Sequence, residues 1–123
     1  REAALHGWPA MALSQYHRRG QPIDWDVAAS WAEAVFVAVC DFDPLKNGEF
    51  FNINFPHLEH SRADEPPAIV CCDIDPSPLP MHFVEENHGW MYRGKYQDRP
   101  RRPDGDVDVC FGGQIAVSRA RVV

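Results

Sequence analysis

Apolar and polar positions alternate most clearly at Phe50-Phe51-Asn52-Ile53-Asn54-Phe55-Pro56. Phe51, Ile53 and Phe55 fall on one face of an extended segment and Asn52 and Asn54 on the other, so the pattern predicts a strand. Pro56 lacks an N–H for the ladder and is expected to stop it. If the asparagine face is covered, their amides need partners and fix local geometry; that structural role is the first reading of them. Upstream, Ala10-Met11-Ala12-Leu13 is a short continuous apolar run, expected as a strand covered on both faces, as in a parallel sheet. Arg1 to His6 reads as the last turns of a helix, which Gly7 closes. Val27, Trp31, Ala34, Val35 and Ala38 recur at three and four residues, predicting a helix from Asp26 to Cys40 capped by Asp24 or Asp26.

Beyond Pro56 the spacing turns irregular. Strands are expected at Ala68 to Cys72, around His82-Phe83-Val84, and from Gln114 to Arg121, the last with Ile115, Val117 and Arg119 on one face. Asp106 is expected to cap a short helical turn that runs to Phe111 and ends at Gly112-Gly113. The first part therefore reads as α/β and the second as extended and strand-rich.

The length, 123 residues with 45% apolar content, suits one domain with a core. A net charge of −6 argues against a nucleic-acid partner, which usually meets a basic surface. The densest apolar run, Ala34 to Cys40, is far too short for a membrane span. The first residue is Arg1 and no signal-peptide pattern precedes the first strand, so a piece of a longer cytoplasmic protein is expected. Cys40, Cys71, Cys72 and Cys110 contain no C-x-x-C spacing; they are read as small buried hydrophobes in a reducing compartment.

Candidate chemistry is sparse. Ser14 and Gln15 stand at the carboxyl end of the first strand, where ligands gather in parallel sheets, although a hydroxyl that satisfies a loop backbone serves equally well. Arg93, Lys95, Arg99, Arg101 and Arg102 form the densest basic cluster, able to attract an anion or to sit at the solvated tip of a hairpin. His57 and His60 are three apart, but the surrounding prolines disfavour the helix that would make them a metal pair. Three motif look-alikes fail. Asp104-x-Asp106-x-Asp108 lacks the glycine and glutamate of an EF-hand loop. Asp73-x-Asp75 follows a strand but is trailed by Pro76 and Pro78, with too little chain left for a phosphatase built on paired aspartates. Gly89 to Lys95 matches a phosphate loop, yet Tyr96 replaces the required hydroxyl and no helix can follow.

Several segments in the same order resemble one family, the SurE survival-protein phosphatases. They are Glu2-Ala3-Ala4 through Gly7-Trp8-Pro9-Ala10-Met11-Ala12-Leu13-Ser14, the helix after Asp26, Phe51-Asn52-Ile53-Asn54-Phe55-Pro56, the aromatic-basic segment around Tyr92 and Tyr96, and Asp106-Val107-Asp108 through Gly113-Gln114-Ile115-Ala116-Val117-Ser118. The resemblance implies an α/β fold: a partial Rossmann-like sheet over residues 1–56, and an extended hairpin with a closing strand over 57–123, used for oligomerisation as a homo-dimer or homo-tetramer. It also implies phosphomonoester hydrolysis of nucleoside 5′/3′-monophosphates with a divalent metal, Mg or Mn. The family's metal ligands include an Asp-Asp pair that this sequence lacks. The chain thus looks like the C-terminal half, with no catalytic or metal-binding residue of its own. By the same resemblance Ser14 and Gln15 lie nearest the substrate, while Arg93 and Tyr96 approach a neighbouring subunit's site through the hairpin. Ser118-Arg119 stands where the family favours Thr-Pro, which leaves the path of the closing strand open. The alternative is a non-catalytic interaction module derived from the same fold.

Overall fold

A computed structural model describes residues 1–58 and 65–122. Helix α1 (Glu2–Leu5) is a single turn, and Gly7, at a φ of 77°, turns the chain out of it, the left-handed exit that glycine takes without strain. Strand β1 (Met11–Gln15) leads into helix α2 (Trp25–Val39) and then strand β2 (Glu49–Phe55). Asp24 caps α2, its carboxylate accepting from the N–H groups of Asp26 and Val27, which satisfies two donors that the first turn leaves unpaired. Strands β3 (Ile69–Cys71), β4 (Phe83–Glu86) and β5 (Gly89–Tyr92) follow, then a short 3-10 helix (Tyr96–Asp98), helix α3 (Asp106–Phe111) and strand β6 (Ile115–Arg121).

The main sheet has the order β1-β2-β6-β3. β1 and β2 run parallel, as do β3 and β6, and the two pairs meet antiparallel along β2 and β6. The fold is α/β, and the sheet draws strands from both parts of the sequence. β6 pairs with β2 from Glu49↔Arg121 to Asn54↔Ala116, so the Ser118-Arg119 step lies within a continuous ladder.

The alternation read in β2 is its burial pattern. Phe51, Ile53 and Phe55 pack with Ile115 and Val117 of β6 against Trp31, Val35 and Val39 of α2. Ile53, Ile115 and Val35 are fully enclosed. Each such side chain is worth roughly 1.5–3 kcal/mol in burial. The helix stripe is rotated slightly from expectation: Ala28, Trp31, Val35 and Val39 are buried, whereas Val27, Ala34 and Ala38 sit at its margin. Arg119 shares the Phe51 face, its guanidinium 5.3 Å from the ring centre, with its donors spent on the carbonyls of Asp43 and Pro44.

Three expectations are corrected. β1 is an edge strand rather than one covered on both faces: Leu13 is 44% exposed and Ala12 and Ser14 are also open. Only Cys110 among the four free cysteines is buried; Cys40 is exposed at the end of α2, Cys71 is exposed on the other edge strand, and Cys72 is half-buried. The basic cluster is not a hairpin tip. The β4–β5 turn is Asn87-His88, both at positive φ (46° and 70°), the conformation of a two-residue hairpin loop. The arginines come after the hairpin and are paired: Arg93 with Glu86, Arg101 with Asp108 and Arg102 with Asp73. Of the two histidines weighed as a metal pair, His57 is half-buried and His60 lies outside the described residues.

Candidate functional site

A cleft of about 510 Å³ opens at the carboxyl ends of β1 and β2. Such a volume lies within the usual range for small-molecule sites, and the place is where ligands enter open α/β sheets. Ser14, Asn52 and Asn54 form its floor, with α3, the 3-10 helix and Arg99 as its walls.

The floor is a line of hydrogen bonds that crosses from sheet to helix. Ser14 and Asn54 are register partners in the parallel pair, which brings the Ser14 hydroxyl to donate to Asn54 Oδ1 at 2.6 Å. The Asn54 Nδ2 group donates onward to Asp106 Oδ2 at 3.4 Å. The other carboxylate oxygen, Asp106 Oδ1, accepts the Asp75 backbone N–H at 2.8 Å. Asp106 was expected to cap α3. It is instead the helix's first residue, behind Gly105, and its buried carboxylate ties β2, the loop after β3 and α3 together. Asn52 makes the parallel arrangement one step back, its amide donating to Ser118 Oγ on β6 at 3.4 Å.

Asp75 is the second buried carboxylate. It accepts from the Ser77 and Arg102 backbone N–H groups, each at 2.8 Å. Hydrogen bonds from Ser77, side chain first and then backbone, hold its carboxyl below the ordinary aspartate value despite burial. Cys110 behind the floor is pushed up to about 12 and Cys72 to about 11, both first by burial and then by the nearby Asp106 charge. Neither is a thiolate nucleophile near neutral pH. Ser14 is not an activated nucleophile either, because the group that takes its proton is an amide oxygen, which is no base. The arrangement suits binding and orientation of a ligand.

The wall is aromatic. Tyr16 stacks on Phe111 with ring centres 4.7 Å apart, and Tyr96 meets Phe111 edge-on at 5.8 Å. Arg99 lies 5.5 Å over the Tyr96 ring, donating to the Ser77 carbonyl at 2.6 Å and to the Tyr96 hydroxyl at 3.4 Å. Its Nε is buried with no hydrogen-bond partner among the described residues.

Ser14, Gln15 and Tyr96 therefore line one cleft within one chain, whereas Arg93 does not line it. Gln15 spends its amide donor on the carbonyls of Pro56, at 2.7 Å, and Tyr16, at 3.3 Å. Arg93 is held on the hairpin by Glu86, and its backbone N–H donates to the His82 carbonyl. From the sequence Asn54 reads as structural, Arg99 as one of a basic cluster able to attract an anion, and Asp106 as a helix cap; Tyr16 and Phe111 carry no site signal there, and the Asn-x-Asn alternation is the one local cue to the floor. Among the described residues no group of three His, Cys, Asp or Glu side chains is disposed to hold a metal ion.

A family model described as "Survival protein SurE" matches residues 1–73. A protein of Synechocystis named "Putative 5'-nucleotidase" is 40% identical over 122 residues, which is 99% of this chain and 53% of that protein. A Nostoc protein of the same name is 39% identical over the same extents. A Campylobacter jejuni "5'-nucleotidase SurE" is 40% identical over 57 residues, 45% of this chain and 22% of its own length. The crystal structure of the SurE protein from Aquifex aeolicus superposes with a TM-score of 0.69 at 14% identity, over 99% of this chain and 49% of that one. The chain thus spans about half the length of the curated relatives it matches at full extent.

Proposed function

Because the chain belongs to the survival protein SurE family, we propose that it supplies the substrate-holding part of a phosphatase acting on nucleoside 5′/3′-monophosphates. The observation that carries this reading is the Ser14–Asn54–Asp106 line, laid across the carboxyl ends of two parallel strands beside an aromatic wall. A floor of hydroxyl, amide and carboxylate groups offers donors and acceptors to sugar hydroxyls. It offers nothing that attacks phosphorus. A divalent cation, Mg or Mn, is proposed to be bound by groups outside this chain, because the family's Asp-Asp pair has no counterpart in its sequence.

The hairpin is proposed as a subunit contact in a homo-dimer or homo-tetramer. Phe83, Val84, Trp90, Met91 and Tyr92 are all exposed, and a two-stranded hairpin open on both faces is marginal in water unless something covers it.

The test joins this chain to the part of the Synechocystis relative that lies outside the matched 53%. Phosphate release from nucleoside monophosphates is then measured with Mg, with Mn and with a chelator. Metal-dependent release by the chimera, and none by the 123-residue chain alone, is the expected result. A folded chimera that releases no phosphate from any nucleoside monophosphate, or hydrolysis by the chain alone, would overturn the reading.

A further inference from the structure

We infer that the cleft wall formed by Tyr16, Phe111, Tyr96 and Arg99 is a nucleobase platform, and that this end of the site receives the base rather than the phosphate. The inference rests on the proposed nucleotidase reading for its substrate class, but its grounds are separate. The charged groups lining the cleft are Asp75, Asp106 and Arg99, two carboxylates against one guanidinium. A phosphate brought into that lining meets a net negative field, so the anionic end of a ligand is directed away from it. An uncharged planar ring meets no such penalty.

The wall is built to take one. Tyr16 and Phe111 are stacked and Tyr96 is set edge-on, so the three rings brace each other and little side-chain freedom is lost when a fourth ring arrives. Tyr96 remains 42% exposed and is the ring of the three most open to a ligand. Arg99 is fixed by the Ser77 carbonyl and by Tyr96, and its buried Nε–H has no acceptor among the described residues. Stacking tolerates any base, because each has a π face, so the platform holds purines more tightly than pyrimidines by area rather than by readout.

The test is equilibrium binding to the 123-residue chain, followed by amide and side-chain NMR shifts, with adenosine, uridine, ribose and inorganic phosphate as separate probes. Adenosine is expected to bind more tightly than uridine and to shift Tyr16, Tyr96 and Phe111, while ribose and phosphate leave those rings unmoved. Tyr96→Leu should weaken adenosine binding roughly tenfold, as loss of one stacking ring does elsewhere. Tyr96→Phe should stay within about twofold, since the ring is retained. Tyr96→Phe keeps the ring packed on Tyr16 and Phe111, and unchanged amide shifts away from the cleft verify that Tyr96→Leu is folded. Adenosine binding unaffected by Tyr96→Leu, or phosphate shifting the same rings, would overturn the inference. The two readings fail separately: an inactive chimera with intact adenosine binding removes the nucleotidase, and an active chimera with no base-dependent binding by the platform removes this one.

Discussion

Replacing Asp106 with alanine should cost this protein a large part of its stability as well as disorganise the cleft floor. The carboxylate is buried and accepts two hydrogen bonds, one from the Asp75 backbone at 2.8 Å and one from the Asn54 side chain at 3.4 Å. Removing it strands the Asp75 N–H without an acceptor, which costs about 1–3 kcal/mol for a buried donor. The longer Asn54 bond adds about 0.5–1 kcal/mol. The sum, about 2–4 kcal/mol, is a substantial share of the roughly 5–15 kcal/mol that holds a domain folded. With a urea slope of about 2 kcal/mol/M, the midpoint should fall by about 1–2 M, read from the fluorescence of the buried Trp31. Asp106→Asn keeps an oxygen for Asp75 but turns a second donor toward Asn54, so its loss should be smaller than that of alanine. Asp98→Ala, an exposed aspartate, should stay within about 0.5 kcal/mol of the parent. A midpoint for Asp106→Ala within about 0.3 M of the parent at unchanged slope would refute the view that this carboxylate joins β2, α3 and the loop after β3.

Other outcomes follow from the same contacts. Asp75 has its folded pKa lowered, so it stabilises the fold above the unfolded aspartate value of about 4, and that contribution drains away as pH falls through the folded value; urea midpoints from pH 7 to pH 3 should drop less steeply in Asp75→Asn. Among the thiols, exposed Cys40 and Cys71 should react with a disulfide reagent at pH 8 within minutes, while Cys110, raised to about 12, should react only on unfolding; rapid native labelling of Cys110 by mass spectrometry would contradict its burial. Trp90, 72% exposed on the hairpin, should be replaceable by lysine without loss of monomer stability, and sedimentation should show smaller assemblies if the hairpin is the subunit contact. Arg93→Ala, which removes the Glu86 pair, should shift assembly or the chimera's turnover; no change in either would end the proposed role of the hairpin.

What could be read from the sequence was what short-range chemistry decides. The alternation at Phe51, Ile53 and Phe55, the Asp24 cap and the Gly7 exit each depend on neighbours a few residues away, and each is found in the fold. The site depends on pairs far apart in sequence. Asn54 finds its acceptor 52 residues on, and the Asp75 N–H reaches its acceptor across 31. An aspartate at the start of a helix reads locally as a cap, and only the approach of the loop after β3 turns Asp106 into a buried junction. The cysteine reading failed for a related reason. Composition says that cysteine tends to be buried, but whether Cys71 is buried depends on which strand ends at the sheet edge, and that is fixed by the β3–β6 pairing.

The position of Ser14 shows how an edge strand can still carry part of a site. Among the described residues β1 has a hydrogen-bonded neighbour strand only in β2, and its residues are largely open. Its carboxyl end is nevertheless fastened three times within three residues: Ser14 to Asn54, Gln15 to the Pro56 carbonyl, and the Tyr16 N–H to the Phe55 carbonyl at 2.9 Å. Gln15 works here as a strap, because its amide N–H group is already spent on backbone and only its oxygen is left for a ligand. Tyr16, the residue immediately after the strap, is then delivered onto Phe111. The polar floor and the aromatic wall are thus set by one short length of chain, and a displacement at the end of β1 moves both together.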